Sequence, residues 1–480
     1  MKQIHDVLII GAGVTGTMIA RELSKYLLDV VILDKNNDAG DATSSANSAI
    51  IHSGYDPEPG SLKAKFNVLG NKKYPELVKQ LDVPFIPCGS LTIATEDEQL
   101  PVLKELAERS KINGVEVKLL NKEEVLKMEP NINPEVKGAL FAPTAGIIDP
   151  FNLVVHAMEN AIDNGVTFLR NHEVLDIKKQ DDVYKVKTDK GELAAKIIIN
   201  AAGLKSDKIA SMIEDIDWAI TPRKGEYFLL DHYAEGLVNH TIFPLPSKKG
   251  KGVLVSQTSS GNYIVGPSSE PADADDVSTD GATLSNIRKA ATIMVPSIPF
   301  NQTIRVFAGE RATCTRHDFI IEYAKSDKNF INVAGIESPG LASSPAIAEY
   351  VVEELVRPLI ELKNNPSFNP CVRPYHRMHY LSEEEQLEVI KNNPDYGEII
   401  CNCEHISLGE IKDALSRSCP PVSIKGVKRR TRSGYGKCQG GFCQPKVLML
   451  LAEHYHVSPT KIPLAEEGSY IIDHEIKEVK

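Results

Sequence analysis

The stretch "DVLIIGAGVTGTMIARELSKYLLDVVILDK" restricts the fold of this chain more than any other. An apolar run, Val7 to Ile10, has the character of a strand buried on both faces. Gly11, Gly13 and Gly16 follow in G-x-G-x-x-G spacing, and Met18, Ile19, Leu23 and Leu27 then recur at helical steps. A second strand, "VVILD", closes on Asp34. Gly11 permits the tight turn, Gly13 lets backbone approach a pyrophosphate, and Gly16 lets the helix lie close on the strand. The helix N-terminus presents free N–H groups and the positive end of its dipole to phosphate. Asp34 stands where a carboxylate accepts hydrogen bonds from a ribose. The unit predicts a dinucleotide-binding α/β domain and leaves open whether the dinucleotide is NAD or FAD.

At 480 residues the chain exceeds one compact core, so two or three folding units are expected. "MKQIHDVLIIGAG" runs straight into the first strand rather than reading as a signal peptide. No apolar run approaches the roughly 20 residues of a membrane-spanning helix. The expectation is a cytoplasmic protein that meets a membrane only through a partner. A net charge of −11 argues against a general nucleic-acid binder. Eight cysteines are too sparse for a disulfide scaffold, and in a reducing compartment clustered cysteines more often hold metal.

Two further segments carry strand-to-turn breaks. "AAKIIINAAGLKSD" breaks at Ala201, Ala202 and Gly203; "NFINVAGIESPGLASSPAIAEYVVEEL" breaks at Gly335, then Gly340 and Leu341. Small residues there leave room for something bulky or charged. Read alone, either could be an empty turn of a parallel sheet. Together with "SSANSAIIHSGY" they resemble the D-amino-acid-oxidase-like superfamily of FAD-dependent oxidoreductases. "NSAIIHSGYDPEPGSLKAKF" is most similar to L-2-hydroxyglutarate oxidases and dehydrogenases and to FAD-containing glycerol-3-phosphate dehydrogenases.

The resemblance implies an FAD-binding Rossmann-like α/β domain assembled from 1–75, 145–210 and 310–360. An inserted α+β substrate domain with an antiparallel sheet would come from 76–144 and 211–309. It also implies that Ser44, Ser45 and Asn47 lie along the flavin diphosphate and ring. Ala201 to Gly203 would approach the adenosine end, and Gly335, Gly340 and Leu341 the isoalloxazine. The chain departs from the family at Ala46, where arginine is frequent, and at Ala49, where glycine is frequent.

Hydride leaves a carbon for a flavin most easily when the attached hydroxyl loses its proton to a positioned base. His52, in "IIHSGY", is the candidate base, the alternative being a histidine that packs beside the flavin. Arg311, in "FAGERATCTRHDF", is the candidate anion clamp for a carboxylate or phosphate, the alternative being an exposed arginine paired with Glu310. Arg223, Lys224 and Tyr227 in "TPRKGEYFLL" are weaker candidates; Asp318 and Phe319 are expected to support the fold.

Beyond residue 364 the texture changes. Prolines and asparagines around a short acidic helix suggest a linker over 364–397. A compact unit follows over 398–456, then a tail over 457–480. Cys401 and Cys403 stand in C-x-C, and Cys438 and Cys443 follow in C-x-x-x-x-C. Four thiolates bind zinc or an iron–sulfur cluster. Structural zinc prefers pairs two to four residues apart. The arrangement, with "TRSGYGKCQGGFC", resembles the bacterioferritin-associated-ferredoxin-like [2Fe–2S] domain, a small helical unit. Cys419 reads as a bystander, and Cys88, Cys314 and Cys371 read as small buried hydrophobes. The basic run Lys428, Arg429, Arg430 and Arg432 suggests steering of an acidic electron-transfer partner, or a solvated strand end.

A flavin collects two electrons, and a one-electron cluster passes them on singly. The order of domains resembles the large subunit of anaerobic glycerol-3-phosphate dehydrogenases. That resemblance implies oxidation of sn-glycerol 3-phosphate, a small anionic hydroxy substrate, by a hetero- or homo-oligomer. The acceptor would be a second flavoprotein or a membrane quinone-reducing subunit. Alternatives are a 2-hydroxy acid such as L-2-hydroxyglutarate, amine oxidation, and a flavin oxidase whose tail is a zinc or redox-sensing module.

Overall fold

The computed structural model describes residues 3–246 and 252–474. Residues 1–2, 247–251 and 475–480, parts of the expected flavin, substrate and tail segments, lie outside the described residues. In the first sheet, Ile4–Ile10 pairs in parallel with Val30–Leu33 on one side and Gly191–Asn200 on the other. Thr167–Leu169 and Phe330–Ala334 extend it in parallel, and Val174–Gln180, Val183–Thr188 and Ile320–Tyr323 add antiparallel strands. Alternation decides what each face meets. Val7 and Ile9 pack on residues of the helices Val14–Leu23, Pro150–Asp163 and Gly340–Tyr350. Leu8 and Ile10 pack on Ile177, Tyr184 and Val186 of the antiparallel hairpin. With both faces covered, the strand carries no polar residue between Val7 and Ile10, hence its unbroken apolar sequence.

The glycine turn is closed by contacts that exclude side chains. Gly11 has φ +104°, and a Cβ there would lie 2.4 Å from the Ala201 carbonyl oxygen. A Cβ on Gly16 would lie 1.9 Å from the Gly11 oxygen. Helix and strand therefore approach as closely as backbone allows.

Among the described residues the second sheet has nine strands and is antiparallel except where Thr241–Phe243 runs parallel to Ser90–Ala94. Its longest pairing joins Arg223–Leu230 to Thr303–Arg311, with Arg223 opposite Arg311. The C-terminal domain is a short hairpin, Ile399–Cys401 with Ile406–Ser407, and three helices, Leu408–Leu415, Ile424–Thr431 and Gln444–Tyr455. It has its own core, built on Ile406, Ile411, Val427 and Leu451.

That domain is fastened to the rest by buried charge. Arg429 and Arg430 are each 4% exposed and pair with Asp41 and Asp38 of the domain built on the first sheet. Arg417 bridges Glu159 at 2.8 Å. Arg432 bonds Glu404 and Asn262, at 3.0 and 2.9 Å. Lys428 lies over the Tyr435 ring. The expectation of a partner-steering basic patch is thus corrected: the run faces inward because its carboxylate partners lie elsewhere in this chain.

Segment 364–397 runs as a strap across the junction. Arg377 binds Asp82 at 3.0 Å, and Tyr375 stacks on His156 at 4.4 Å with a 10° tilt. His156 is fully buried, with Nδ1 bonded to the Leu81 oxygen at 2.6 Å. Burial, and then the Arg377 guanidinium, hold it well below the usual histidine value. The folded chain therefore excludes a proton that the unfolded chain takes up below a pH of about 6.5. Stability present above that pH is lost as pH falls, by about 1.4 kcal/mol per pH unit from this residue. His156→Gln is expected to flatten that slope. Urea unfolding of both chains at pH 7 and pH 5.5 measures it, and identical slopes would refute the assignment.

Candidate active site

A cleft of about 1480 Å³ opens between the two sheets. Its volume exceeds the roughly 300–1,000 Å³ of a typical small-ligand pocket, as a dinucleotide and a substrate together require. The end expected to receive the nucleotide begins at Gly13, which caps the helix Val14–Leu23 without a side chain. The Val14 amide donates to Ser44 Oγ at 2.9 Å. Asp34 accepts from the Ala12 amide at 2.8 Å and the Asn36 amide at 2.9 Å. Burial pushes its carboxyl above the usual range against those two bonds.

Gly13, Ser44, Asn47, Ala201, Gly203, Gly340 and Leu341 line the cleft. Asn47 folds back on its own turn, donating to Ser44 O at 2.9 Å and accepting from the Ala49 amide at 2.8 Å. Ala49 has φ +58°, which explains why glycine suits this position and marks a strained site in this chain. Ser45 donates to Ala42 O within the same turn. Ala202 packs behind the first sheet with Leu8 and Ile198. Gly335 has φ +64°, and a Cβ there would lie 2.8 Å from Cys314 Cβ. Its small size serves the turn behind the wall.

His52 lines the same cleft, its ring 5.8 Å from Phe243. Its carbonyl is held by Asn67 and Asn71, at 2.6 and 3.1 Å. These residues stand one helical turn apart on Leu62–Asn71. Asp318 accepts from the first amides of that helix, Leu62 at 2.8 Å and Lys63 at 3.0 Å, and Phe319 is buried. Arg311 lines the cleft and donates to Ser268 O at 2.9 Å and Ser269 Oγ at 3.2 Å. Its neighbour Glu310 is buried and accepts from the Asp275 amide. Arg223, the cross-strand partner, donates to the same Ser269 Oγ at 3.1 Å. Two guanidinium groups thus converge on one serine. Tyr227 also lines the cleft, its hydroxyl 3.2 Å from Ser48 Oγ, while Lys224 bridges Asp276.

Sequence reasoning missed a cleft-lining relay: Lys63 Nζ donates to Glu337 at 2.8 Å, and Thr313 Oγ1 donates to the same carboxylate at 2.7 Å. An acid inside "GIESPG" was one available signal. Lys63 had none, since its partner is remote in sequence.

In the C-terminal domain the four thiols meet two by two. Cys401 and Cys443 lie close enough to shift each other's titration, as do Cys403 and Cys438. Hydrogen bonding from Cys443 pulls Cys401 down to about 5, and the same contact pushes Cys443 up. Burial pushes Cys438 up, but the Cys403 thiol and the amides of Gly440, Phe442 and Gly441 together bring it below its ordinary value. Among the described residues no group of three or more His, Cys, Asp or Glu side chains closes on one ion position. Two thiol pairs suit a two-iron cluster, which takes two cysteines on each iron. Gly436 makes room: a Cβ there would lie 2.4 Å from Cys403 Cβ. The donor set and its amides therefore fit a [2Fe–2S] group. Cys419 and Cys314 are buried, Cys88 is half-buried, and Cys371 is exposed, contrary to the expectation of a buried hydrophobe.

Residues 6–354 match the model of the FAD dependent oxidoreductase family, and 399–453 match that of the BFD-like [2Fe-2S] binding domain. The chain is 46% identical over 471 residues to a glycerol 3-phosphate dehydrogenase of Caloramator mitchellensis, covering 98% of each. It is 38% identical to a glycerol 3-phosphate oxidase of Mycoplasma genitalium, covering 77% of this chain and 98% of that one. A solved structure of dithionite-reduced L-α-glycerophosphate oxidase from Mycoplasma pneumoniae with FAD bound has TM-score 0.74 and 34% identity. That match covers 78% of this chain and 100% of the other. Among the described residues no helix is long and apolar enough to cross a membrane.

Proposed function

The chain belongs to the FAD-dependent oxidoreductases, with FAD as cofactor and a [2Fe–2S] domain behind it, and on that premise we propose a glycerol-3-phosphate dehydrogenase. It oxidises sn-glycerol 3-phosphate to dihydroxyacetone phosphate, and the electrons leave through the cluster to a partner acceptor. The observation that carries this reading is the Caloramator relative, which spans both parts of the chain. The Mycoplasma oxidase, by contrast, leaves about a quarter of this chain without a counterpart.

FAD, when bound, takes up the hydride from the substrate carbon, and the cluster passes electrons on one at a time. This chain's residues do the rest. Gly13, Ser44 and the helix N-terminus receive the diphosphate, Asp34 receives a ribose, and Gly340 and Leu341 border the ring. Arg311, backed by Arg223, takes the substrate phosphate in place of its present serine contacts. His52 accepts the hydroxyl proton as the carbon is oxidised. Cys401, Cys403, Cys438 and Cys443 hold the irons. Converging guanidinium groups favour a phosphate dianion over a single carboxylate.

L-2-hydroxyglutarate is the second reading, favoured by 31% identity over 271 residues to an L-2-hydroxyglutarate dehydrogenase of Escherichia coli. Anaerobic titration of the holoenzyme with each compound decides. Glycerol 3-phosphate is expected to bleach the flavin absorbance and L-2-hydroxyglutarate to leave it unchanged. The reverse result would replace the leading reading.

A further inference from the structure

The loop that follows the second strand of the flavin domain, residues 35–48, reads "KNNDAGDATSSANS". It has no regular structure beyond the single 3-10 turn Thr43–Ser45. Its order must therefore come from what it touches. At its start, Asp34 takes the Ala12 amide; near its end, Ser44 takes the Val14 amide. Both amides belong to the glycine turn and helix start that would receive a dinucleotide. Between these two anchors the loop is gripped by the C-terminal domain. Arg430 binds Asp38 through both guanidinium nitrogens, at 2.7 and 2.8 Å, with each side chain 1% exposed. Asp41 is held by Arg429 and by Lys425, the latter at 2.7 Å.

We propose that the C-terminal domain is a structural part of the FAD site: Arg429 and Arg430 hold the 35–48 loop closed over the dinucleotide. FAD retention and docking of the cluster domain are then one coupled equilibrium. The proposal rests on the reading of the cleft as the FAD site. The physical reason is the burial of Asp38, whose hydrogen-bonded cation is Arg430, while Asp41 also holds Lys425. A carboxylate so deeply buried cannot remain in place once its cation is gone, because an unpaired buried charge is too costly. The loop must open to rehydrate it. Opening pulls Ser44 away from the Val14 amide and uncovers the phosphate end of the cleft. The coupling is reciprocal, so bound FAD in turn holds the cluster domain down. A chain that carries flavin thereby carries its electron exit in the docked position.

The double variant Arg429→Gln, Arg430→Gln touches no cleft-lining residue. Its FAD dissociation constant, read from the fluorescence of flavin released on dilution, is expected to rise about tenfold. Lys412→Gln, which loses Asp395 and leaves the ion pairs to Asp38, Asp41 and Glu159 in place, should bind FAD within about twofold of the unaltered chain. Equal retention in the double variant, or equal loosening in Lys412→Gln, would overturn the proposal. Should the double variant fail to fold, hydrogen exchange on the unaltered chain decides. Amides of 424–431 should exchange about tenfold faster after FAD is removed, and unchanged exchange refutes the coupling. An unaltered chain that binds no FAD would sink the underlying reading instead.

Discussion

His52→Gln is expected to slow substrate-driven bleaching of the flavin by about 10²- to 10⁴-fold, the usual contribution of a positioned general base. The backbone at this position is fixed independently of the imidazole. Asn67 and Asn71 hold the His52 carbonyl, and the preceding strand Ile50–Ile51 pairs with Gly146–Ile148. A glutamine of similar reach should therefore sit in the same wall without disturbing it, and FAD should stay bound. Stopped-flow reduction under anaerobic conditions separates the two roles considered for this residue. A base gives the unaltered enzyme a rate that climbs with pH as the base gives up its own proton. The glutamine variant loses that limb. A histidine that only packs beside the ring would leave the limb in place and shift the rate by no more than a few-fold. That outcome would send the search for the base to the other titratable side chains of the same cleft, among them His317, Asp56 and the Lys63–Glu337 pair.

The parts of the site that could be read from sequence are those fixed by local backbone geometry. Gly11 and Gly16 stand where any side chain would strike backbone within a few residues or one strand away, so their spacing carries the turn by itself. The four cysteines likewise announce a cluster because the ligand chemistry admits few other residue types. What was illegible depends on pairing across the chain. The meeting of Arg223 and Arg311 on Ser269 follows from the strand register, which no local pattern encodes. Lys63 gains its meaning from Glu337 and the His317 carbonyl, both remote in sequence, and Gly335 packs against Cys314. The basic run misled for the same reason. Its charge was plain, but Asp38 and Asp41, which turn it inward, lie hundreds of residues earlier.

Cys401→Ser is expected to abolish turnover with one-electron acceptors while leaving anaerobic reduction of the flavin by glycerol 3-phosphate intact. Cys401 is 1% exposed and touches the Cys443 thiol, so serine removes one member of the inner thiol pair at a position no solvent ligand readily replaces. Iron content and visible absorption beyond the flavin bands should fall together. The domain itself should stay docked, since its core of Ile406, Ile411, Val427 and Leu451 and its ion pairs to Asp38 and Asp41 involve no iron. That separation gives the experiment its force. A variant without iron that still reduces acceptors at the unaltered rate would place the electron exit at the flavin itself. The tail would then be a sensing or structural module. A variant that loses acceptor turnover yet still bleaches with substrate at the normal rate divides the reaction where the structure divides the chain. Carbon chemistry then belongs to the cleft of His52 and Arg311, and electron export to the four thiols beyond Arg430.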